Sequence, residues 1–154
     1  MSNKIRQIAC AIDPLSEEAN KIVEWAIENF LRPTDEIHAI MVMVLDCEFG
    51  EQESIELPPT DSLENIEKEL TLEKTRAMDK VVDKIRAAGF QVKLHVFKTD
   101  TTHACDVLIE YLNTNTMDCL IMGSRNLSGW KRFFMGSFSD YVQSHVHCPV
   151  LIIK

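Results

Sequence analysis

No apolar run in the 154 residues is long enough to cross a bilayer, which argues against an integral membrane helix. There is no internal repeat, no low-complexity tract and no Cys-x-x-Cys pair. The five cysteines are odd in number and dispersed. Cys10, Cys119 and Cys148 sit in or beside apolar segments, where a thiol behaves as a small hydrophobe, so no disulfide framework is expected. Positive charge is short: 16 Lys and Arg face 24 Asp and Glu, a net charge of −8. A nucleic-acid backbone and an anionic membrane surface both demand the opposite field, so neither is an expected partner. The opening Met1–Gln7 is polar and does not read as a signal peptide; a cytoplasmic location is the expectation.

What is present is an ordinary globular composition, 45% hydrophobic and 26% charged, of a length that suits one domain over residues 1–154. The elements alternate. Ile8 to Ile12 is a continuous apolar run, read as a buried strand that Asp13-Pro14 ends. Ser16 is the expected N-cap of a helix carrying Ala19, Val23, Ala26, Ile27 and Phe30 at helical spacing, closed by Pro33. Ile37 to Leu45 is a second apolar run, interrupted only by His38.

The acidic stretch from Asp46 to Asp61, with Gly50, Pro58 and Pro59, reads as a loop. A long helix is predicted over 62–88. Its stripe is Leu63, Ile66, Leu70, Ala77, Met78, Val81, Val82 and Ile85, and Gly89 is its stop. Val92, Leu94 and Val96 alternate with polar residues, as expected of an edge strand. A helix through Ala104, Val107, Leu108, Tyr111 and Leu112 follows, then a strand over 119–122. A helix through Phe138, Tyr141, Val142 and Val146 and a strand over 150–153 complete the chain. Ser137 and Asp140 stand at capping-box-like spacing.

Such alternation predicts an α/β fold, a doubly wound parallel sheet of five strands with right-handed crossovers. In the order 2-1-3-4-5 or the nucleotide-binding variant 3-2-1-4-5 the first strand is central. The ligand crevice then opens between strands one and four, at their carboxyl ends. Asp13 and Gly123 are the residues at those ends. The last quarter adds chemistry: Leu120-Ile121-Met122-Gly123-Ser124-Arg125-Asn126, nine residues, then Gly136-Ser137. A strand, a basic loop and a glycine opening a helix form a phosphate-type site, because the first amides of a helix are unpaired and its dipole is positive there. Read alone, the same glycines are equally strand-end and helix-cap punctuation.

The stretch from Gly123 through Trp130-Lys131-Arg132-Phe133-Phe134-Met135-Gly136-Ser137 to His147-Cys148-Pro149-Val150-Leu151-Ile152-Ile153 resembles the universal stress protein family, whose nucleotide-binding branch shows G-x-x-G, nine residues, then G-[ST]. The likeness extends to Ala11-Ile12-Asp13 and to Met41–Asp46. It implies a Rossmann-like three-layer sandwich of order 3-2-1-4-5, akin to the adenine nucleotide alpha hydrolases, and an adenine-nucleotide cleft for ATP or AMP, with Mg reached through the phosphates. By this resemblance Asp13, beside Ile12, meets base or ribose, and the Val44 backbone meets adenine. Met122 and Gly123 line the ribose, and Gly136, Ser137 and Phe138 offer amides to phosphate; apart from the resemblance, the basic cluster Arg125, Lys131 and Arg132 can oppose the charge.

Two places depart, and both weaken ATP binding more than AMP binding: the segment Thr99-Asp100-Thr101-Thr102-His103 has no glycine where the family often has one, and Asn126 stands where the second motif glycine belongs. Asn is the best non-glycine tenant of the left-handed region, but its side chain would obstruct a phosphate that approached closely.

Other clusters read as structure. His145 and His147 are two apart and would not share a helix face, so no metal site is expected there. His103, Cys105 and Asp106 lack a third group to orient a nucleophile. No Walker lysine is present, since Gly136 is followed by Ser137, and no base in the motif is poised to activate water. The expected role is therefore a nucleotide-binding stress sensor or regulator, at most a slow hydrolase or autophosphorylating protein. The alternative is an interaction module of the same fold in which Asn126 closes the site. The apolar edge strand 150–153 invites antiparallel pairing with a second copy, and the family resemblance implies the same homodimer.

Overall fold

Each sheet strand is explained by what lies on its two faces. In the computed structural model, which describes residues 4–44, 60–100, 102–124 and 137–154, β1 (Gln7–Ala11) is the middle strand and is buried from Ile8 onward. It pairs in parallel with β2 (Glu36–Val44) on one side and β4 (Cys119–Gly123) on the other. β3 (Gln91–Thr99) continues the sheet beyond β2, and β5 (Val150–Ile153) beyond β4. The order is β3-β2-β1-β4-β5, all parallel, the one of the two orders left open by the alternation that the family resemblance implies. Among the described residues four helices complete the alternation: α1 (Ala19–Asn29), α2 (Thr60–Ala87), α3 (Ala104–Thr114) and α4 (Ser137–His145).

Strand alternation sends odd and even residues into two separate half-cores. Ile8, Cys10 and Ile12 join Met41, Met43, Ile121 and the α1 and α2 residues Val23, Met78 and Val82. Ala9, Ala11, Val42, Leu120 and Met122 join Leu108 and Leu112 of α3 and Phe138 and Val142 of α4. The helices therefore lie two on each face of a central sheet, in three layers. Among the described residues no helix is long and apolar enough to cross a membrane.

Four expectations shift. Helix α1 starts at Ala19, not after a Ser16 cap. The Ser16 hydroxyl accepts from the Glu18 amide at 3.2 Å and the Ser16 carbonyl accepts from Ala19 at 3.2 Å, so Ser16 is used in a turn ahead of the helix. Helix α2 begins at Thr60, taking Thr60 and Asp61 from the expected loop. It ends as predicted: Gly89 has φ of 97°, its amide donates to Arg86, and the Phe90 amide reaches back to Ile85. In β3 the covered face changes midway. Val92 and Leu94 pack on the α2 side, while Val96 is exposed and Phe97 packs on the α3 side. In α4 the buried face is Phe138 and Val142, with Tyr141 exposed. The remainder of the 46–61 loop and Leu45 lie outside the described residues.

Candidate functional site

The crevice is a consequence of unequal strand lengths. Ala11, the last paired residue of β1, stands between Ile40 of β2 and Met122 of β4. Strand β2 then runs on through Val44, held by β3 to Thr99. Past Ala11 the chain leaves the sheet: the Ile12 amide still donates to Ile40 at 2.9 Å, and Asp13 opens a turn. The Asp13 carboxylate accepts from the Leu15 amide at 3.1 Å and its carbonyl accepts from Ser16 at 3.1 Å. The result is a notch with Ile12 and Asp13 at its floor and the overhanging Met41–Val44 as one wall. Gly123, paired with Ile153, forms the opposite rim.

Ile12, Val44 and Met122 are almost wholly buried, so what they can present is backbone. Helix α4 begins at Ser137 and runs back along the sheet. Phe138, 1% exposed, belongs to the same buried cluster as Met122, Val44 and Ala11. Its ring is thus committed to the core and fixes where the helix starts. The positive end of α4 accordingly lies at the carboxyl edge of the sheet, the polarity an anion requires. Of the predicted site residues, Ile12, Asp13, Val44, Met122 and Gly123 lie at or just past the carboxyl ends of β1, β2 and β4, and Ser137 and Phe138 open α4. Arg125, Asn126 and Gly136, with Lys131, Arg132 and the aromatic residues Trp130, Phe133 and Phe134, lie outside the described residues.

The second cluster considered in the sequence is not a nucleophile. Cys105 is buried and burial pushes its thiol up to about 11, while His103 turns to Asp100 with Nδ1 2.8 Å from the carboxylate. The hydrogen bond that His103 donates to the Asp100 carboxylate raises the pKa of His103. Among the described residues no group of three or more His, Cys, Asp or Glu side chains is placed to hold a metal ion.

The sequence reading missed a polar chain at the other end of the sheet. His38, buried on β2, has Nε2 2.6 Å from the Gln7 side-chain oxygen and Nδ1 3.0 Å from Nε2 of His95 on β3; the Tyr111 hydroxyl of α3 is 3.1 Å from the same His95 nitrogen. The Gln7 oxygen can only accept, so His38 carries its proton on Nε2 and its Nδ1 accepts from His95. The rings are 5.3 Å apart at 18°, the geometry of imidazoles joined end to end by an N–H···N bond rather than stacked. Burial lowers the pKa of both histidines; for His38, His95 and Lys93 lower it further while Glu36 opposes. In the sequence alone His38 is a break in an apolar run. A buried polar side chain must find partners, and that was the available signal.

Set against known proteins, the chain matches the model of the Universal stress protein family over residues 4–154. It is 30% identical to Universal stress protein PHOS32 of Arabidopsis thaliana over 164 aligned positions, covering 97% of this chain and 64% of that protein. The chain thus spans a little under two thirds of that relative's length. Its fold is similar to a universal stress protein family protein from Arabidopsis thaliana with AMP bound, at TM-score 0.65 and 19% identity, covering 97% of this chain and 91% of the other. It is also similar to the universal stress protein from Archaeoglobus fulgidus in complex with dAMP, at TM-score 0.62 and 15% identity, covering 99% and 100%.

Proposed function

The chain belongs to the universal stress protein family, and from that premise we propose that it binds an adenine nucleotide in the notch at the carboxyl ends of β1, β2 and β4. The observation that carries this is the convergence of Asp13, the β2 overhang and the start of α4 on one crevice. Two structural neighbours, crystallised with AMP and with dAMP, support the ligand class.

In this reading Asp13 accepts hydrogen bonds from base or ribose, and the Val44 backbone, polar and directional, meets adenine. Met122 and Gly123 line the ribose. Gly136, Ser137 and Phe138 supply helix-start amides to phosphate, with Arg125 as counter-charge and Asn126 tolerated in place of glycine. ATP and AMP are the nucleotides proposed, with Mg bridging the phosphates of ATP. The protein acts as a cytoplasmic stress-response sensor or regulator, a homodimer through β5, rather than as an efficient enzyme.

The test is direct. The filtrate of denatured protein is analysed for adenine nucleotide, and the emptied protein is titrated calorimetrically with ATP and AMP, with and without Mg²⁺. Gly136→Asp places a carboxylate among the phosphates, and Asp13→Ala removes the acceptor. Micromolar binding lost in both variants supports the site. Binding that survives Gly136→Asp unchanged shows that the phosphates sit elsewhere, and no binding up to millimolar nucleotide overturns the function.

A further inference from the structure

Helix α2 has two working faces. One, carrying Met78, Val81, Val82 and Ile85, is buried against the sheet. The other carries Glu69, Leu72, Glu73, Arg76 and Lys80 within a single stripe, and it lines a groove of about 570 Å³ whose second wall is Pro14, Leu15 and Asn20 of the turn before α1. Two large apolar side chains stand open there, Leu15 at 43% and Leu72 at 48% exposure. Among the described residues none of the four charges has an ion-pair partner. The acids occupy the amino-terminal half of the stripe and the bases the carboxyl-terminal half.

That order is self-complementary. About a two-fold axis opposite the point between residues 74 and 75, an antiparallel copy of α2 sets Glu69 against Lys80 and Glu73 against Arg76. The same operation sets the protruding Leu72 over Ala77, the small residue in the groove floor. A parallel two-fold arrangement would instead oppose Glu69 to Glu69 and Arg76 to Arg76, and is disfavoured by like charge. We propose that this groove is a docking face for a second copy of this chain, the two α2 helices crossing antiparallel with Leu72 of each seated between Leu15 and Ala77 of the other. The contact is isologous, so each copy satisfies both grooves at once. It is separate from β5 and independent of nucleotide, so its failure and that of the proposed function are read in different experiments. Combined with pairing at β5, it would join dimers into larger assemblies.

The experiment is sedimentation velocity on the full chain over two decades of concentration, at low and high salt. It is run on the parent and on Leu151→Lys, which is aimed at β5. The expected result is association that persists in Leu151→Lys and weakens with salt. Glu73→Arg and Arg76→Glu alone each weaken it at least about fivefold, and the two together restore it, since the reversed pair is again complementary. As a second readout, a mixture of Leu72→Cys and Ala77→Cys proteins is expected to form a crossed disulfide that neither forms alone. Reversals that leave sedimentation unchanged, a double reversal that does not restore association, or a Leu151→Lys protein that is monomeric at every concentration would each overturn the proposal. The last would leave the groove to a helix of some other protein.

Discussion

Asp35 is a carboxylate whose side chain has no exposed surface, held by Arg6, the residue just before β1. Arg6 donates through Nε at 2.8 Å and through a terminal nitrogen at 2.6 Å, a two-pronged grip, and the Arg32 amide adds a third bond at 2.7 Å. The Arg6 guanidinium also donates to the Phe30 carbonyl at 3.2 Å and lies 4.9 Å from the centre of the Phe30 ring. Together these contacts fasten the α1–β2 turn to the start of β1. Arg6→Met keeps much of the side-chain volume and strands the carboxylate.

Removing one partner of a buried pair costs about 3–5 kcal/mol, a large share of the roughly 5–15 kcal/mol that holds a domain together. Urea unfolding at neutral pH is expected to show that loss. Replacing both residues, as Arg6→Met with Asp35→Leu, is expected to recover most of it, short of about 1–3 kcal/mol for the orphaned Arg32 amide. Acid supplies an internal control. Burial alone would raise the Asp35 pKa, but the bonds from Arg6 and Arg32 outweigh it and hold the carboxyl below its ordinary value. Its stabilising contribution is therefore present above the unfolded pKa and fades as pH falls through the folded one. The gap between parent and variant must accordingly narrow below about pH 4. A neutral-pH loss under about 1 kcal/mol, the size of an exposed pair, would refute the reasoning, as would a gap that does not change with pH. Because the pair sits at the amino ends of the strands, nucleotide affinity is expected to be unaltered wherever the variant remains folded.

The histidine pair prefers the opposite charge state, neutral rather than ionised, yet it too loses stability as pH falls, in a higher pH window. His38 and His95 have folded pKa values below the unfolded one, so the fold prefers them neutral. Stability is full above about pH 6.5 and is lost as pH drops through that value towards the folded pKa. Urea midpoints measured from about pH 8 to about pH 5 are expected to fall, and less steeply in His38→Gln; an equal slope in the variant counts against the assignment. Phe138→Ala empties a fully buried site beneath the start of α4 and is expected to cost about 3–5 kcal/mol by denaturant unfolding, with Phe138→Leu costing markedly less. Leu151→Lys places a charge on the edge strand β5 and is expected to abolish the dimer proposed there. Nucleotide release assays on the same protein should be unaffected.

Periodicity is a property of neighbours in sequence, and what depends on it was legible: five strands, four helices, their order and the Gly89 stop. Asp13 and Gly123 could be placed at one crevice because strand ends follow from topology. Registers could not be read. His38 lies opposite Lys93, and His95 is two residues further on, so their bond is a diagonal contact that appears only once β2 and β3 are aligned. Nor could the change of covered face in β3, which follows from where Tyr111 of α3 lands rather than from the strand's own alternation. The false cap at Ser16 has a local cause: a hydroxyl serves a turn as readily as a helix start.

The parallel sheet has a history written into its order. Ile8 meets Ile37 after a single crossover, but it meets Cys119 only once β2, α2, β3 and α3 have intervened. The first three strands can therefore assemble as a unit while one side of β1 waits, bare of its neighbour. Closing the long loop to β4 is the entropically costly, late event. The notch is that seam. A nucleotide held across it can recognise only a chain whose last strands have docked, so it would brake unfolding while leaving the speed of folding nearly untouched.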